Sequence, residues 1–116
     1  MSIKIERLNH IFMKEISQIL QTEIKDEDIH FVTITGCDIT NDLSYAKVYF
    51  TVLDDSKRVS TEKALNGASS FIRGLLSQRV EIRHTPELKF IYDTSIEYGQ
   101  KIEEKIKELK EDEEKF

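Results

Sequence analysis

The chain has 116 residues, 39% of them hydrophobic, and its 17 basic and 22 acidic side chains leave a net charge of −5. This length predicts a single domain with a modest core, and the acidic total argues against a simple polyanion-binding protein. No run of 18 apolar residues occurs and the first residues are charged, so we expect neither a membrane-spanning helix nor a signal peptide. The single Cys37 cannot form an internal disulfide, which predicts a cytoplasmic protein.

The N-terminal segment predicts a long helix. Over residues 3–24, apolar side chains recur every three or four positions, which indicates one apolar face. The opposite face carries the basic side chains of Lys4, Arg7 and Lys14. The polar run at residues 25–28 then ends the helical pattern.

Residues 30–53 predict a β-hairpin. β-Branched and aromatic side chains dominate residues 31–39, and apolar and polar side chains alternate over residues 45–53. Asn41 and Asp42 lie between the two runs and favour a turn.

Small residues interrupt the next helical pattern, which spans about residues 60–78. Its apolar spacing is helical throughout, yet Gly67, Ser69, Ser70 and Gly74 lie within it. Glycine costs about 1 kcal/mol relative to alanine in a helix interior, and serine competes for the backbone hydrogen bonds. The segment therefore predicts either a kinked helix that a phosphate backbone can approach, or close packing against a neighbouring element.

The remaining segment predicts a third strand and a last helix. Leu88, Phe90 and Tyr92 alternate with other residues in the manner of a strand, and Thr94 and Glu97 have capping-box spacing. The resulting order is α-β-β-α(kinked)-β-α. It predicts an α+β fold, a two-layer single domain with helices covering one face of a sheet.

Basic residues concentrate between residues 57 and 89, where seven basic side chains stand against three acidic ones. A locally basic face on an acidic protein can bind nucleic acid while the rest of the surface repels it. Ordinary solvation of a surface explains such charges equally well.

The sequence contains no catalytic or metal-binding pattern. His10, His30 and His84 are far apart, and with Cys37 they do not have the spacing of zinc ligands. The four glycines are scattered and form no phosphate-binding loop. We therefore expect no enzymatic activity, no metal and no cofactor.

Nearly the whole chain, from Ile5 to Leu109, carries an ordered set of short segments. They are Ile24-Lys25-Asp26, Val32-Thr33-Ile34-Thr35, Asp42-Leu43-Ser44-Tyr45-Ala46-Lys47-Val48-Tyr49, Ala64-Leu65, Ala68-Ser69-Ser70-Phe71-Ile72-Arg73-Gly74-Leu75-Leu76, Arg83, Pro86-Glu87-Leu88-Lys89-Phe90, Asp93-Thr94-Ser95-Ile96 and Gly99. No single tripeptide is diagnostic, but the set and the order of elements resemble ribosome-binding factor A, a bacterial family with a type II KH-like domain.

The resemblance implies a non-catalytic assembly factor that binds the free small (30S) ribosomal subunit and not whole ribosomes. The family assists late maturation and 5′-end processing of 16S rRNA and is important in cold adaptation. Its Ala-x-Gly kink is similar to Ala68-Ser69-Ser70 here, with Ser70 in the glycine position. We expect a monomer, with the KH-like domain over residues 1–109 and a frayed acidic tail over residues 110–116.

The resemblance and the basic block together suggest the RNA-binding residues. The predicted contacts are Arg73, Arg79, Arg83, Lys89, Ala68, Ser69 and Ser70, extended by Lys4, Arg7 and Lys14 of the first helix. Arginine suits phosphate because its planar fork can bond two oxygens. Phe31, Phe50, Phe71 and Phe90 fall on apolar stripes, so we assign them to the core rather than to base stacking.

Two other functions stay open at this point. One is a generic single-stranded RNA-binding KH module, and the other is a protein-interaction domain whose last helix docks a partner. Salt distinguishes these two functions, because phosphate contacts weaken steeply as salt rises whereas apolar docking does not.

Overall fold

In the computed structural model, the described residues are 2–29 and 31–95. Over them the chain forms α1 (Ser2–Thr22), β1 (Val32–Ile39), β2 (Tyr45–Val52), α2 (Arg58–Gly67), α3 (Ser69–Arg79) and β3 (Glu87–Tyr92). Short 3-10 turns at Glu27–Ile29 and Asp55–Lys57 precede β1 and α2. This order confirms the predicted α+β fold, while the predicted last helix from residue 96 onwards and the tail at 110–116 lie outside the described residues.

The three strands form one sheet in the order β1-β2-β3. β1 and β2 pair antiparallel, as the predicted hairpin requires, and β2 and β3 pair parallel. The parallel pairing is possible because α2 and α3 carry the chain back across the sheet before β3 begins. The hairpin register shifts between Ile34 and Gly36, so Thr35 occupies a β-bulge.

One face of the sheet packs against the helices and forms the core. Alternate residues of β2, namely Ala46, Val48 and Phe50, are fully buried, and Phe90 of β3 lies beside them. The helices contribute the buried side chains of Phe12, Ile16, Ile19, Leu65, Ile72 and Leu76. The period-two burial of the strands and the helical spacing of the facing residues therefore give two layers.

Two of the four phenylalanines assigned to the core are exposed. Phe50 and Phe90 are buried as predicted, but Phe31 is 75% exposed and Phe71 is 55% exposed. Phe31 precedes β1 with a positive φ of 58°, which takes it out of the alternation of the strand. Phe71 lies about 100° around α3 from the buried Ile72. The core assignments of Phe31 and Phe71 were therefore wrong.

The predicted kink is an interruption of one residue. Ala68 separates α2 from α3 with φ −94° and ψ 1°. Its N–H still donates to α2 carbonyls at 3.0 and 3.2 Å, and its carbonyl accepts from the N–H of Ile72 at 3.0 Å. Ser69 and Ser70 already belong to α3, and Gly67 has no positive φ. Serine at position 70 therefore fits this backbone, because the break needs no left-handed residue.

Candidate nucleic-acid interface

A shallow polar groove runs along α3, directly after the helix break. It encloses about 330 Å³ and is lined by Ser70, Arg73, Gly74, Ser77 and Thr85. The four α3 residues recur every three or four positions and so share one face of the helix. A Cβ atom added at Gly74 would meet no atom within 4 Å, so the groove is open above this glycine.

Arg73 forms one side of the groove. Its Nε and Nη2 donate hydrogen bonds of 2.9 and 2.7 Å to the carbonyl oxygen of Thr85. These bonds tie α3 to the segment that precedes Pro86 and β3. The Arg73 guanidinium, which the sequence analysis assigned to phosphate, thus holds the segment around Thr85 against α3. Its third nitrogen, Nη1, donates to no acceptor among the described residues.

Arg79 joins the end of α3 to α1. Its Nη1 lies 3.4 Å from Oε2 of Glu15, and its Nη2 lies 3.6 Å from Oε1 of Glu23. The Arg79 side chain is 29% exposed. Two carboxylates therefore share the charge that was predicted to bind phosphate.

Lys89 lies on a different surface from the groove. It is exposed and alternates along β3 with the buried Leu88 and Phe90, so it projects from the sheet face that the helices do not cover. Lys47 of β2 pairs with it in register on the same face. The structure therefore does not bring Lys89 together with Arg73.

The remaining predicted cations are exposed. Arg83 lies in the loop between α3 and β3, and Lys4, Arg7 and Lys14 lie along the solvent side of α1. Within residues 2–29 and 31–95, none of these four side chains makes an ion pair or a hydrogen bond. The predicted site residues therefore do not form one surface. Ser70 and Arg73 line the groove, while Ala68, Ser69 and Arg79 lie along the α2–α3 segment but do not line it. The others lie in the adjoining loop, on the open sheet face or along α1.

Three residues that line the groove, Gly74, Ser77 and Thr85, were not among the predicted contacts. Ser77 follows Ser70 by two helical turns, and its hydroxyl donates to the Gly74 carbonyl at 2.7 Å. That spacing was a usable signal for Ser77. Thr85 carried no such signal, because only the tertiary fold brings its carbonyl to Arg73.

The described residues hold neither a thiol with a lowered pKa nor a metal-binding cluster. Burial, followed by the charge of Asp38, raises the pKa of the Cys37 thiol from 9.0 to about 12, so the thiol stays protonated near neutral pH. The part of the chain that the structure describes holds no group of three His, Cys, Asp or Glu side chains that could bind a metal. Among the same residues, no helix is long and apolar enough to cross a membrane.

Known proteins resemble this chain over most of its length. The family model for Ribosome-binding factor A matches residues 4–106. Ribosome-binding factor A of Staphylococcus epidermidis is 49% identical over 109 residues, which cover 93% of this chain and 94% of that protein.

Solved structures share the fold. The crystal structure of ribosome-binding factor A from Thermus thermophilus matches with a TM-score of 0.70 at 20% identity, covering 76% of this chain and 94% of that one. A homology model of ribosome-binding factor A from the same organism, fitted into a cryo-electron-microscopy map of a 30S complex of that protein, matches with a TM-score of 0.62 at 20% identity. It covers 74% of this chain and 91% of that one.

Proposed function

The chain belongs to the ribosome-binding factor A family, and from this membership we propose that it binds the free small (30S) ribosomal subunit. The observation that carries the proposal is the family match over residues 4–106, which includes the groove and α1 from Lys4 onwards. A relative of the same fold has been fitted into a map of its 30S complex, which supports the same partner here.

The proposed role is assembly without chemistry. The protein assists late maturation of 16S rRNA, including processing of its 5′ end, and is most important in the cold. It acts as a monomer in the cytoplasm and leaves before the subunit joins a whole ribosome. The family resemblance supports the maturation role, and no feature of the groove bears on it.

The groove is the proposed contact with rRNA at the helix break. The hydroxyl of Ser70 can donate to a phosphate oxygen, whereas that of Ser77 already donates to the Gly74 carbonyl. Gly74 lets a sugar-phosphate backbone come close to α3. The exposed guanidinium of Arg83 follows in the adjoining loop. Because Arg73 and Arg79 are engaged inside the protein, we assign them to shaping this surface and not to the principal phosphate contacts.

Recognition of shape and backbone fits this surface better than base reading. Phe50 and Phe90 are buried, and the exposed Phe31 and Phe71 are not among the residues that line the groove, so the groove offers no aromatic ring for bases to stack on. Folded rRNA presents phosphates and 2′-hydroxyls that polar and basic side chains can bind without reading sequence.

Co-sedimentation of the purified protein with free small subunits tests the proposal. Whole ribosomes and a short single-stranded RNA are run beside the free subunits, each at low and high salt. Retention on free subunits that falls as salt rises, with none on whole ribosomes, is the expected result. A folded protein that binds the short RNA but not the subunits would instead be a generic KH module, and one that binds neither would refute RNA binding.

A further inference from the structure

The exposed side of α1 carries a row of basic side chains that the groove does not use. We propose that Lys4, Arg7 and Lys14 form a separate site for the sugar-phosphate backbone of double-helical RNA, and that Arg79 keeps this site free of opposing charge by neutralising Glu15. The inference rests on the proposed function, since it states how α1 takes part in holding rRNA.

The helix geometry places these three cations in one row. At about 100° per residue, Lys4, Arg7 and Lys14 fall within a sector of about 80°, together with Ile11 and Gln18. Ten residues separate Lys4 from Lys14, so the row is about 15 Å long. The buried face of α1 lies on a different side of the helix from this row. Even Ile11, in the middle of the row, is 38% exposed. We call these five residues the α1 stripe.

The α1 stripe contains no carboxylate, although the chain as a whole is acidic. Glu6 lies about 120° around the helix from the centre of the stripe. Within residues 2–29 and 31–95, Lys4, Arg7 and Lys14 have no ion-pair partner. Their charges are therefore available to phosphate, which is the one abundant polyanionic group on a ribosomal subunit.

Glu15 is the carboxylate that borders the α1 stripe. It follows Ile11 by four residues, so the two side chains are neighbours on the helix surface. Arg79 lies 3.4 Å from Glu15 and 3.6 Å from Glu23, and it thereby offsets both negative charges. Arg79 is thus a positioning residue, which acts on RNA binding through the potential at α1 and without contacting the RNA.

The residue types of the α1 stripe favour a double helix over a single strand. Proteins that hold single-stranded RNA stack bases on aromatic rings, and the α1 stripe has no Phe, Tyr or Trp. A-form helices are instead bound through phosphates and 2′-hydroxyls. A straight and rigid row of three cations suits such a regular backbone.

Two matched double variants test the α1 stripe. Lys4→Gln with Lys14→Gln removes two of its charges, and Lys57→Gln with Lys63→Gln removes two exposed charges elsewhere. Affinity for free small subunits is measured over a series of salt concentrations. For the stripe variant, we expect the negative slope of log affinity against log salt to become less steep by about 1.8, at about 0.9 for each lost phosphate contact. Equal changes in the two variants, or none in either, would overturn the site.

A charge-rescue experiment tests Arg79. Arg79→Gln should weaken binding by about two- to five-fold, the usual range for partly exposed charges, by leaving Glu15 and Glu23 unneutralised. Adding Glu15→Gln and Glu23→Gln should restore wild-type affinity, although the tether to α1 stays broken. A triple variant as weak as Arg79→Gln would show that Arg79 contacts RNA or is needed structurally. Thermal unfolding of each variant confirms that it is folded.

The two proposals can fail separately. If the wild type does not bind subunits, the proposed function fails, and the same variants are then measured on a short RNA duplex and on one of its strands. Duplex binding that depends on the α1 stripe supports the inference alone. A preference for the single strand, or duplex binding that ignores the stripe, overturns it.

Discussion

The guanidinium of Arg73 holds the carbonyl oxygen of Thr85 with two hydrogen bonds, of 2.9 Å from Nε and 2.7 Å from Nη2. Thr85 precedes the buried Pro86, whose ring restricts the backbone of the residue before it to extended conformations. The two bonds therefore fix an already restricted segment against α3 and determine where β3 begins.

Replacing Arg73 by lysine should destabilise the fold. Lysine supplies a single ammonium in place of a planar fork, so at least one of the two charged hydrogen bonds is lost. We expect the free energy of unfolding to fall by about 1–2 kcal/mol, measured by urea denaturation. Arg83→Lys is the matched control, since Arg83 is exposed and should unfold as the wild type does. Equal stabilities of the two variants would contradict a positioning role for Arg73.

The side chain of Asn66 pairs with the outer edge of β3. Its Oδ1 accepts from the N–H of Phe90 at 2.9 Å, and its Nδ2 donates to the carbonyl of Phe90 at 3.0 Å. Glu62, one helical turn earlier on α2, accepts from the N–H of Tyr92 at 3.2 Å. α2 therefore supplies the edge of β3 with the hydrogen bonds that a fourth strand would otherwise provide, which protects this edge from pairing with other chains.

Asn66→Ala should expose that edge and destabilise the sheet. The N–H and C=O of Phe90 would lose their partners, and the expected loss is about 2 kcal/mol in the free energy of unfolding. Native-state hydrogen exchange of the Phe90 amide should become faster, while the amide of Phe50 in the central strand should be less affected. Asn41→Ala, in the exposed hairpin turn, serves as the control. Unchanged exchange at Phe90 would show that another group protects the edge.

The sequence predicted the features of the fold that depend on local residue patterns. It did not predict the contacts of the site that depend on tertiary packing. The strict alternation of β2 revealed its buried face, and small residues revealed the break at Ala68. Phe31 was misassigned because one residue with a positive φ ends the alternation, which composition does not reveal.

The same distinction explains the arginines. The prediction that Arg73 and Arg79 contact phosphate rested on the family resemblance and on a basic block with few acids nearby in sequence. Their partners, the Thr85 carbonyl and the carboxylates of Glu15 and Glu23, reach them only through the packing of α3 against α1 and against the loop before β3. The row on α1 was visible in the helical spacing, but only the three-dimensional structure shows that its cations have no carboxylate partner among residues 2–29 and 31–95.

Asp93 should make the stability sensitive to acid. Hydrogen bonds from the Ser95 hydroxyl, the Thr35 hydroxyl and the Ser95 backbone N–H hold the pKa of Asp93 below its ordinary 3.8. The Thr35 hydroxyl at the β-bulge is 2.6 Å away. A carboxylate whose pKa is lowered by folding contributes stability above the unfolded pKa, and this contribution is lost as the pH falls through the folded pKa.

The Asp93→Asn variant should therefore have a lower free energy of unfolding than the wild type near neutral pH. This difference in free energy should become smaller below about pH 3.8. Urea denaturation from about pH 6 down to about pH 2.5 measures this directly, because the ionised carboxylate is the form that the native state favours. A gap that stays constant over the whole range would mean that the side chain acts through its shape and not through its charge.

Alanine substitutions at Gly67 and Gly74 distinguish an effect on helix stability from an effect on the groove. An added Cβ at Gly74 or at Gly67 would meet no atom within 4 Å, and neither glycine has a positive φ. Gly67→Ala and Gly74→Ala should each raise the free energy of unfolding by about 0.5–1 kcal/mol, because alanine loses less backbone entropy in a helix. Only Gly74 lines the groove, beside Ser70 and Ser77.

If a sugar-phosphate backbone lies in the groove, Gly74→Ala should weaken binding to the small subunit while it stabilises the protein, because the new methyl group occupies the line of closest approach. Gly67→Ala should stabilise the protein equally and leave binding unchanged, which makes it the matched control. Denaturation and subunit affinity are measured on both variants. Wild-type affinity in Gly74→Ala would mean that RNA does not approach α3 here, and the α1 stripe would then remain as the proposed phosphate-binding surface.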